Sequence, residues 1–288
     1  MQFELEFLKA LQSISNPVLD FLFELVTMLA EDIFLIAVIT FIFWNVNKEA
    51  GKKIVYSLFV SICVNGGIKD IVARKRPYQV SGEITGKRAT TATGYSFPSG
   101  HSQNISATVF AFARWIKKRW FYVVAVALSL IVGFSRLYLG VHFPTDVIAG
   151  LLLGAGISIL FSFIHDKVKN HSLLYLVTFA IMLLFLFGEN SEDFLKSLGL
   201  FGGLVVANPI EESFIRFDEK NHTKLEGIIR WLIGLGIVLG VKSLGRVVFG
   251  RETDFSHFAV YFFVTFVAMG VYPLLFPLIN KLFKKHKS

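Results

Sequence analysis

The apolar residues of this chain are gathered into long blocks separated by short charged loops, and few folds accept that layout. A helix of a soluble protein keeps its apolar residues on one stripe, and a half-buried strand alternates them. Here continuous blocks fall near 31–46, 53–70, 101–116, 120–137, 145–164, 172–188, 196–210, 225–246 and 257–280. That is the pattern of helices immersed in lipid, where each backbone must satisfy its own hydrogen bonds. Hydrophobic residues make up 54% of the 288 positions and charged residues 17%. Too few polar side chains remain to cover one water-soluble core, and the apolar excess rules out a disordered chain. The single Cys rules out a disulfide framework or a cysteine metal cluster; Cys63 falls inside a block and reads as packing.

The basic residues set the sides. Lys48, Lys52 and Lys53 follow the first block, and Arg114, Lys117, Lys118 and Arg119 the third. Lys167, Lys169 and His171 follow the fifth, and Lys281, Lys284, Lys285 and Lys287 end the chain. With each block counted as one span, these clusters share one face, which the positive-inside rule assigns to the cytoplasm. The opposite face receives the 71–98 loop, the 137–144 turn and the acidic Glu189, Glu192 and Asp193. The net charge of +8 is then a signal of topology and of headgroup contact, and nucleic acid is not an expected partner.

Two segments admit two readings. Block 196–210 carries Gly199, Gly202 and Gly203 and ends at Pro209, so it fits a short span or a re-entrant segment; the basic tail favours a span. Residues 3–29 mix Phe and Leu with Glu and Asp and read as an interfacial amphipathic helix. The alternative is a first span over 17–46, broken near Glu31 and Asp32. A signal-peptide layout is absent, with Glu4 and Glu6 where basic residues would stand. The expected organisation is one membrane domain, with an N-terminal segment over 1–30, a core over 31–164 and an extension over 165–288.

Charges at a membrane boundary are costly and point to function. Three clusters share the non-cytoplasmic side. In the first, Lys69 and Arg76 lie seven apart, on one helical face if the helix persists to Pro77. Two cations in register suit an oxyanion such as phosphate, although snorkelling anchors would look the same. Arg74 and Lys75 read as plain surface charges. In the second, Pro98-Ser99-Gly100-His101 precedes a helix. Such a junction offers free N–H groups to an anion, and His101 can move a proton near neutral pH; a simple helix cap is the rival reading. In the third, Ser135-Arg136 closes one span and Asp146 opens the next, with His142 four residues before Asp146. A carboxylate there fixes an imidazole tautomer and leaves the other nitrogen free to attack, whereas a salt bridge across a tight turn would also use Arg136 and Asp146. Together Lys69, Arg76, Arg136, His101, His142 and Asp146 form a phosphate cradle with one acid and one nucleophile–orienter pair.

Lys69-x6-Arg76-Pro77, Pro98-Ser99-Gly100-His101 and Ser135-Arg136-x5-His142-x3-Asp146 resemble the three signature motifs of the type 2 phosphatidic acid phosphatase superfamily, without departure at any of eleven positions. That superfamily also holds lipid phosphate phosphatases, glucose-6-phosphatase and vanadium haloperoxidases. The resemblance implies an all-α fold, a polytopic membrane helical bundle with a six-helix phosphatase core and extra C-terminal transmembrane helices. It implies that His142 attacks phosphorus to form a phosphohistidine, that Asp146 orients it, and that His101 protonates the leaving group. Lys69, Arg76, Ser99, Gly100 and Arg136 would hold the phosphoryl oxygens. It implies no cofactor and no metal. The motifs span 69–146 and say little about 165–288.

The expected activity is hydrolysis of a lipid phosphate or diphosphate of the undecaprenyl diphosphate, phosphatidylglycerophosphate or phosphatidate type. The expected setting is a bacterial plasma membrane, with the site on the non-cytoplasmic face. The alternatives are a sugar-phosphate or sphingoid-phosphate phosphatase, or a non-catalytic lipid transporter or scaffold; intact His101, His142 and Asp146 weigh against the last. The 71–98 loop, with Thr90-Thr91-Ala92-Thr93-Gly94, fits either a lid or an ordinary loop.

Overall fold

Short polar residues and prolines decide where the helices start. The computed structural model describes residues 2–186, 190–250 and 253–284, the last three by backbone only. The N-terminal half holds α1 (Gln2–Gln12), α2 (Pro17–Met28), α3 (Asp32–Asn45), α4 (Lys48–Val72), the single turn α5 (Pro77–Val80), α6 (Gly100–Ile116), α7 (Arg119–Tyr138) and α8 (Pro144–Lys167). The C-terminal half adds α9 (His171–Met182), α10 (Glu192–Ile210), α11 (Lys224–Val248), α12 (Asp254–Phe266) and α13 (Phe276–Lys284). Asn16 accepts the N–H groups of Val18 and Leu19, and Pro17 opens α2. Asn47 caps α4, Ser191 caps α10, and Thr223 with Glu226 closes a capping box on α11. There is no strand among the described residues, and 81% of them are helical.

Among the described residues, six helices are long and apolar enough to cross a membrane, and a seventh exists if α2 and α3, bent by 43°, count as one. The protein is an integral, multi-pass membrane protein. The N-terminal 30 residues hold two helices, broken at 13–16, and α2 meets α3 at the break near Glu31 that the sequence marks. Block 196–210 is a single unbroken helix, α10, continued by one wider turn over Glu211–Ile215. Pro209 lies in the last turn of α10, directly before that wider turn.

Helix α4 is the central post and packs against α3, α6, α8, α9 and α10. Near its start it buries a charged residue, Lys52. Lys52 pairs with Glu211 at 3.0 Å and Glu212 at 3.1 Å, and Lys48 reaches Glu211 at 2.9 Å. Nearby, Lys53 and Arg114 both meet Asp166. The basic clusters after the first, third and fifth blocks therefore gather at one end of the bundle. Lys285, Lys287 and Glu189 lie outside the described residues.

Close approach of small residues sets the tightest helix contacts. A Cβ on Gly154 of α8 would stand 2.3 Å from the Gln103 carbonyl of α6, and one on Gly203 of α10 would stand 2.4 Å from the Phe262 carbonyl of α12. Both neighbours are backbone, so neither can move aside. Gly154→Val is expected to force α6 and α8 apart and destabilise the protein by about 1–3 kcal/mol, seen as a lower melting temperature in detergent. Gly156→Val, where a Cβ meets nothing within 4 Å, is the control; equal losses in both would show that packing is not the cause.

Candidate active site

The end of the bundle opposite Lys52 collects the termini of five helices around one cavity. Helix α4 brings Lys69, whose carbonyl accepts the last hydrogen bond of the helix from Ala73, a left-handed residue. The helix ends there and does not persist to Pro77 as the Lys69–Arg76 spacing suggests. Arg76 reaches the site on an extended segment just before α5. The two cations converge through tertiary folding, not through helical register.

Arg76 is 1% exposed. Its guanidinium donates to the carbonyls of Gly94 (3.0 Å), Thr93 (2.5 Å), Tyr95 (3.2 Å) and Val141 (3.0 Å), and its Nη1 lies 3.1 Å from His142 Nε2. Every protein acceptor is neutral, so the positive charge is solvated but not cancelled. Arg136 is equally buried. Its Nη1 donates to Thr27 Oγ1 at 2.7 Å, while Nε and Nη2 have no partner among the described residues. Unpaired buried N–H groups of this kind are costly unless an anion visits them.

His142 sits on the tight turn 139–143 between α7 and α8, where Gly140 adopts φ +69°. A side chain on Gly140 would meet the Thr85 carbonyl at 2.5 Å. His142 Nδ1 lies 3.6 Å from Asp146 Oδ2, beyond a direct hydrogen bond, and 3.4 Å from Ser96 Oγ. Ser96 in turn donates to Asp146 Oδ2 at 2.5 Å. The hydroxyl bridges imidazole and carboxylate, which holds the proton on Nδ1 and leaves the Nε2 lone pair facing Arg76. Burial, reinforced by the charges of Arg76, Arg136 and Lys69, holds the His142 imidazole well below its usual range.

Asp146 is a hub. Its Oδ2 also accepts the Phe143 N–H at 2.9 Å, and its Oδ1 accepts Arg74 Nη1 at 2.7 Å. Arg74 thus departs from the surface charge expected of it. It pairs with Asp146, with Thr145 Oγ1 and with Glu4 of α1 at 2.7 Å each, and stacks on the Phe143 ring at 3.9 Å. Arg136, the partner that a turn-closing salt bridge would need, is engaged elsewhere. Lys75 stays exposed.

His101 opens α6, and its Nε2 is buried without a partner among the described residues. Gly100, His101, His142, Lys69 and Arg76 line a common cavity of about 460 Å³. Gly100 faces Lys69: a Cβ there would stand 3.8 Å from Nζ. Ser99 is buried beneath, its N–H committed to the Asp146 carbonyl at 2.9 Å and its hydroxyl accepting from Ser102 at 2.9 Å. The Ser99 hydroxyl proton remains available, but its backbone N–H does not.

Three contributors escaped sequence reasoning. Ser96 and Arg74 lie in a loop whose composition is ordinary, and only the return of the chain (Ser96 N–H to the Arg74 carbonyl, 2.8 Å) makes them neighbours. Asp193 of α10 reads as a topology signal, yet it lines the cavity, accepts from Thr93 at 3.0 Å and sits 3.4 Å from Lys69 Nζ. The 81–98 loop is strapped near its middle by two adjacent cations. Lys87 and Tyr138 meet Asp20, and Arg88 meets Glu31 at 2.7 Å.

The motifs and this geometry agree with what comparison finds. Residues 50–170 match the PAP2 superfamily, and residues 195–284 match the PAP2 superfamily phosphatase transmembrane extension. The chain belongs to the PAP2 superfamily. It is 34% identical over 113 residues to an undecaprenyl-diphosphatase of Sulfolobus acidocaldarius, covering 39% of this chain and 54% of that one. It is 31% identical over 171 residues to sphingosine-1-phosphate phosphatase 1 of Mus musculus, covering 57% and 39%. The chain thus spans about half or less of the length of these curated relatives. The crystal structure of a transmembrane PAP2 type phosphatidylglycerolphosphate phosphatase from Bacillus subtilis superposes with a TM-score of 0.51 at 26% identity, over 59% of this chain and 87% of that one.

Arg74→Met removes a charge-assisted bond to a buried carboxylate, an interaction worth ~1.5–3 kcal/mol. If Asp146 must stay oriented, turnover of any phosphate ester by this protein is expected to fall about ten- to a hundredfold. Lys75→Met, one residue away, is expected to change little; parallel losses would deny Arg74 its role.

Proposed function

We propose that this protein is a membrane-embedded, metal-independent phosphatase that hydrolyses a lipid phosphate or diphosphate through a phosphohistidine. The observation that carries the reading is the pairing of His142 and His101 in one cavity that two cations, Lys69 and Arg76, also line. His142 Nε2 attacks phosphorus as the P–O bond to the lipid breaks. His101 delivers the proton to the leaving oxygen. Arg76, hydrogen-bonded to Nε2, turns to the phosphoryl oxygens when they arrive, and Arg136, Lys69, Ser99 and the Gly100 N–H complete the cradle. Asp146, acting through Ser96, stabilises the positive charge that His142 acquires. Water then attacks the phosphohistidine with His101 as base, the P–N bond breaks, and phosphate leaves. The substrate reading draws on the relatives, whose names cover an undecaprenyl diphosphate, a sphingosine phosphate and a phosphatidylglycerophosphate.

The site lies at the end of the bundle away from Lys48, Lys52, Lys53 and Arg114, so the positive-inside rule supports its facing the non-cytoplasmic side of a bacterial plasma membrane.

Detergent-purified protein with EDTA is expected to release phosphate from at least one of undecaprenyl diphosphate, phosphatidylglycerophosphate, phosphatidate and sphingosine phosphate. His142→Ala is expected to abolish the release, and vanadate to inhibit it as a mimic of five-coordinate phosphorus. Full activity in His142→Ala would remove the nucleophile from this reading.

The pH profile carries a further expectation. The nucleophile must be neutral, and its folded pKa lies below the ordinary 6.5. On the acid side, activity should therefore persist below pH 6.5 and fail where His142 gains a proton; on the alkaline side it should fail where His101 loses the proton it delivers. Arg76→Gln removes a positive neighbour, raises the His142 pKa and should move the acid limb of kcat/KM to higher pH. An acid limb unmoved by that change would mean that another group controls it.

A further inference from the structure

The phosphate cavity continues into an apolar crevice that the catalytic chemistry does not use. The crevice, about 80 Å³ of free space against about 460 Å³ for the cavity, shares Asp32, Ile62, Asn104, Leu200 and Tyr261 with it. From there the lining is hydrocarbon apart from Thr40 and Thr265. Leu35, Ile39 and Phe43 of α3 and Phe59 of α4 form one wall, and Val238 of α11 and Met269 beyond α12 form the other. Along α3 it runs from Asp32 to Phe43, about 16 Å at ~1.5 Å per residue. A polar chamber that opens into a narrow apolar channel matches a molecule with a charged head and a hydrocarbon chain, since each end is buried against its own kind.

We infer that this crevice binds the hydrocarbon chain of the substrate, and that it takes one chain. The inference rests on the phosphatase reading and deepens it by naming the substrate class: a lipid phosphate held by its head and by a single chain together. The channel is too slender for two chains side by side, so the second chain of a diacyl lipid would stay in the bilayer. It also assigns work to the transmembrane extension. Helices α10, α11 and α12 supply the far wall, so the core alone would leave the chain unsheltered. Asn104, one turn after His101 on α6, stands at the junction where head meets chain.

Two independent measurements test this. The first compares kcat/KM for a long single-chain alkyl phosphate with that for a short-chain, water-soluble one, in wild type, Thr265→Phe and Val238→Phe. Both residues line the crevice and are buried. The long-to-short ratio is expected to fall about tenfold in each, the equivalent of ~1.4 kcal/mol. Leu152→Phe, on an exposed face of α8, is expected to keep the wild-type ratio. The second uses wild type only, with a long-chain alkyl phosphate carrying a diazirine at mid-chain; adducts are expected on α3 and α12. An unchanged ratio in both crevice variants, or adducts confined to the outward faces of α7 and α8, would overturn the inference. If wild type releases phosphate from neither substrate, the phosphatase reading fails instead, while the adduct map still decides where the chain lies.

Discussion

Arg76 holds the site together because no carboxylate among the described residues hydrogen-bonds to it. A buried guanidinium needs its N–H groups satisfied, and three successive carbonyls, of Thr93, Gly94 and Tyr95, do this from one side while Val141 does it from the other. The same bonds fold the 81–98 loop over the end of α4 and join it to the turn that carries His142. Carboxylates in those places would have cancelled the charge. Carbonyls satisfy the geometry and leave a full cation facing the cavity, available to an anion.

The remaining cations follow the same logic to different degrees. Arg136 is buried with two nitrogens unpartnered among the described residues, and the cost of that arrangement is borne by a bundle that packs around it on all sides. Lys69 is the exception, since Asp193 stands near its ammonium. Asp193 comes from the first turn of α10, so that helix reaches into the cavity. Arg74 has the opposite task. It pairs with Asp146 and Glu4, which keeps the orienting carboxylate in place and ties α1 to the start of α8. Positive charge in this site is thus of two sorts: charge left free for a ligand, and charge spent on holding the carboxylate that orients His142.

The architecture divides along similar lines. Helices α4, α6, α7 and α8 place every motif residue at one end of the bundle, and glycines let α6 and α8 approach until backbone meets backbone. Helices α10 to α12 pack on α4 from the other side and are fastened at the far end by Lys48 and Lys52 with Glu211 and Glu212. The cavity and the crevice lie in the seam between the two groups, and both groups contribute to their lining.

Much of this was legible in the amino-acid sequence. Apolar blocks bounded by Asn47, Ser191 and Thr223 become helices because caps and lipid-length hydrophobic runs are local properties. His101, His142, Asp146, Arg76 and Arg136 could be singled out because charge at a membrane boundary is costly enough to mark itself. Local spacing misled where the chain leaves regular structure. Lys69 and Arg76 look like one helical face, but Ala73 turns the backbone left-handed and ends the helix before Arg76. The 3.6 Å between His142 and Asp146 leaves room for Ser96, which sits 46 residues before His142 and carries no mark in the sequence. Only the tertiary fold decided that Ser96 bridges the pair, that Arg74 rather than Arg136 holds Asp146, and that Asp193 enters the chamber. Those contacts join residues distant along the chain, and their energies depend on burial that arises only once the helices have packed.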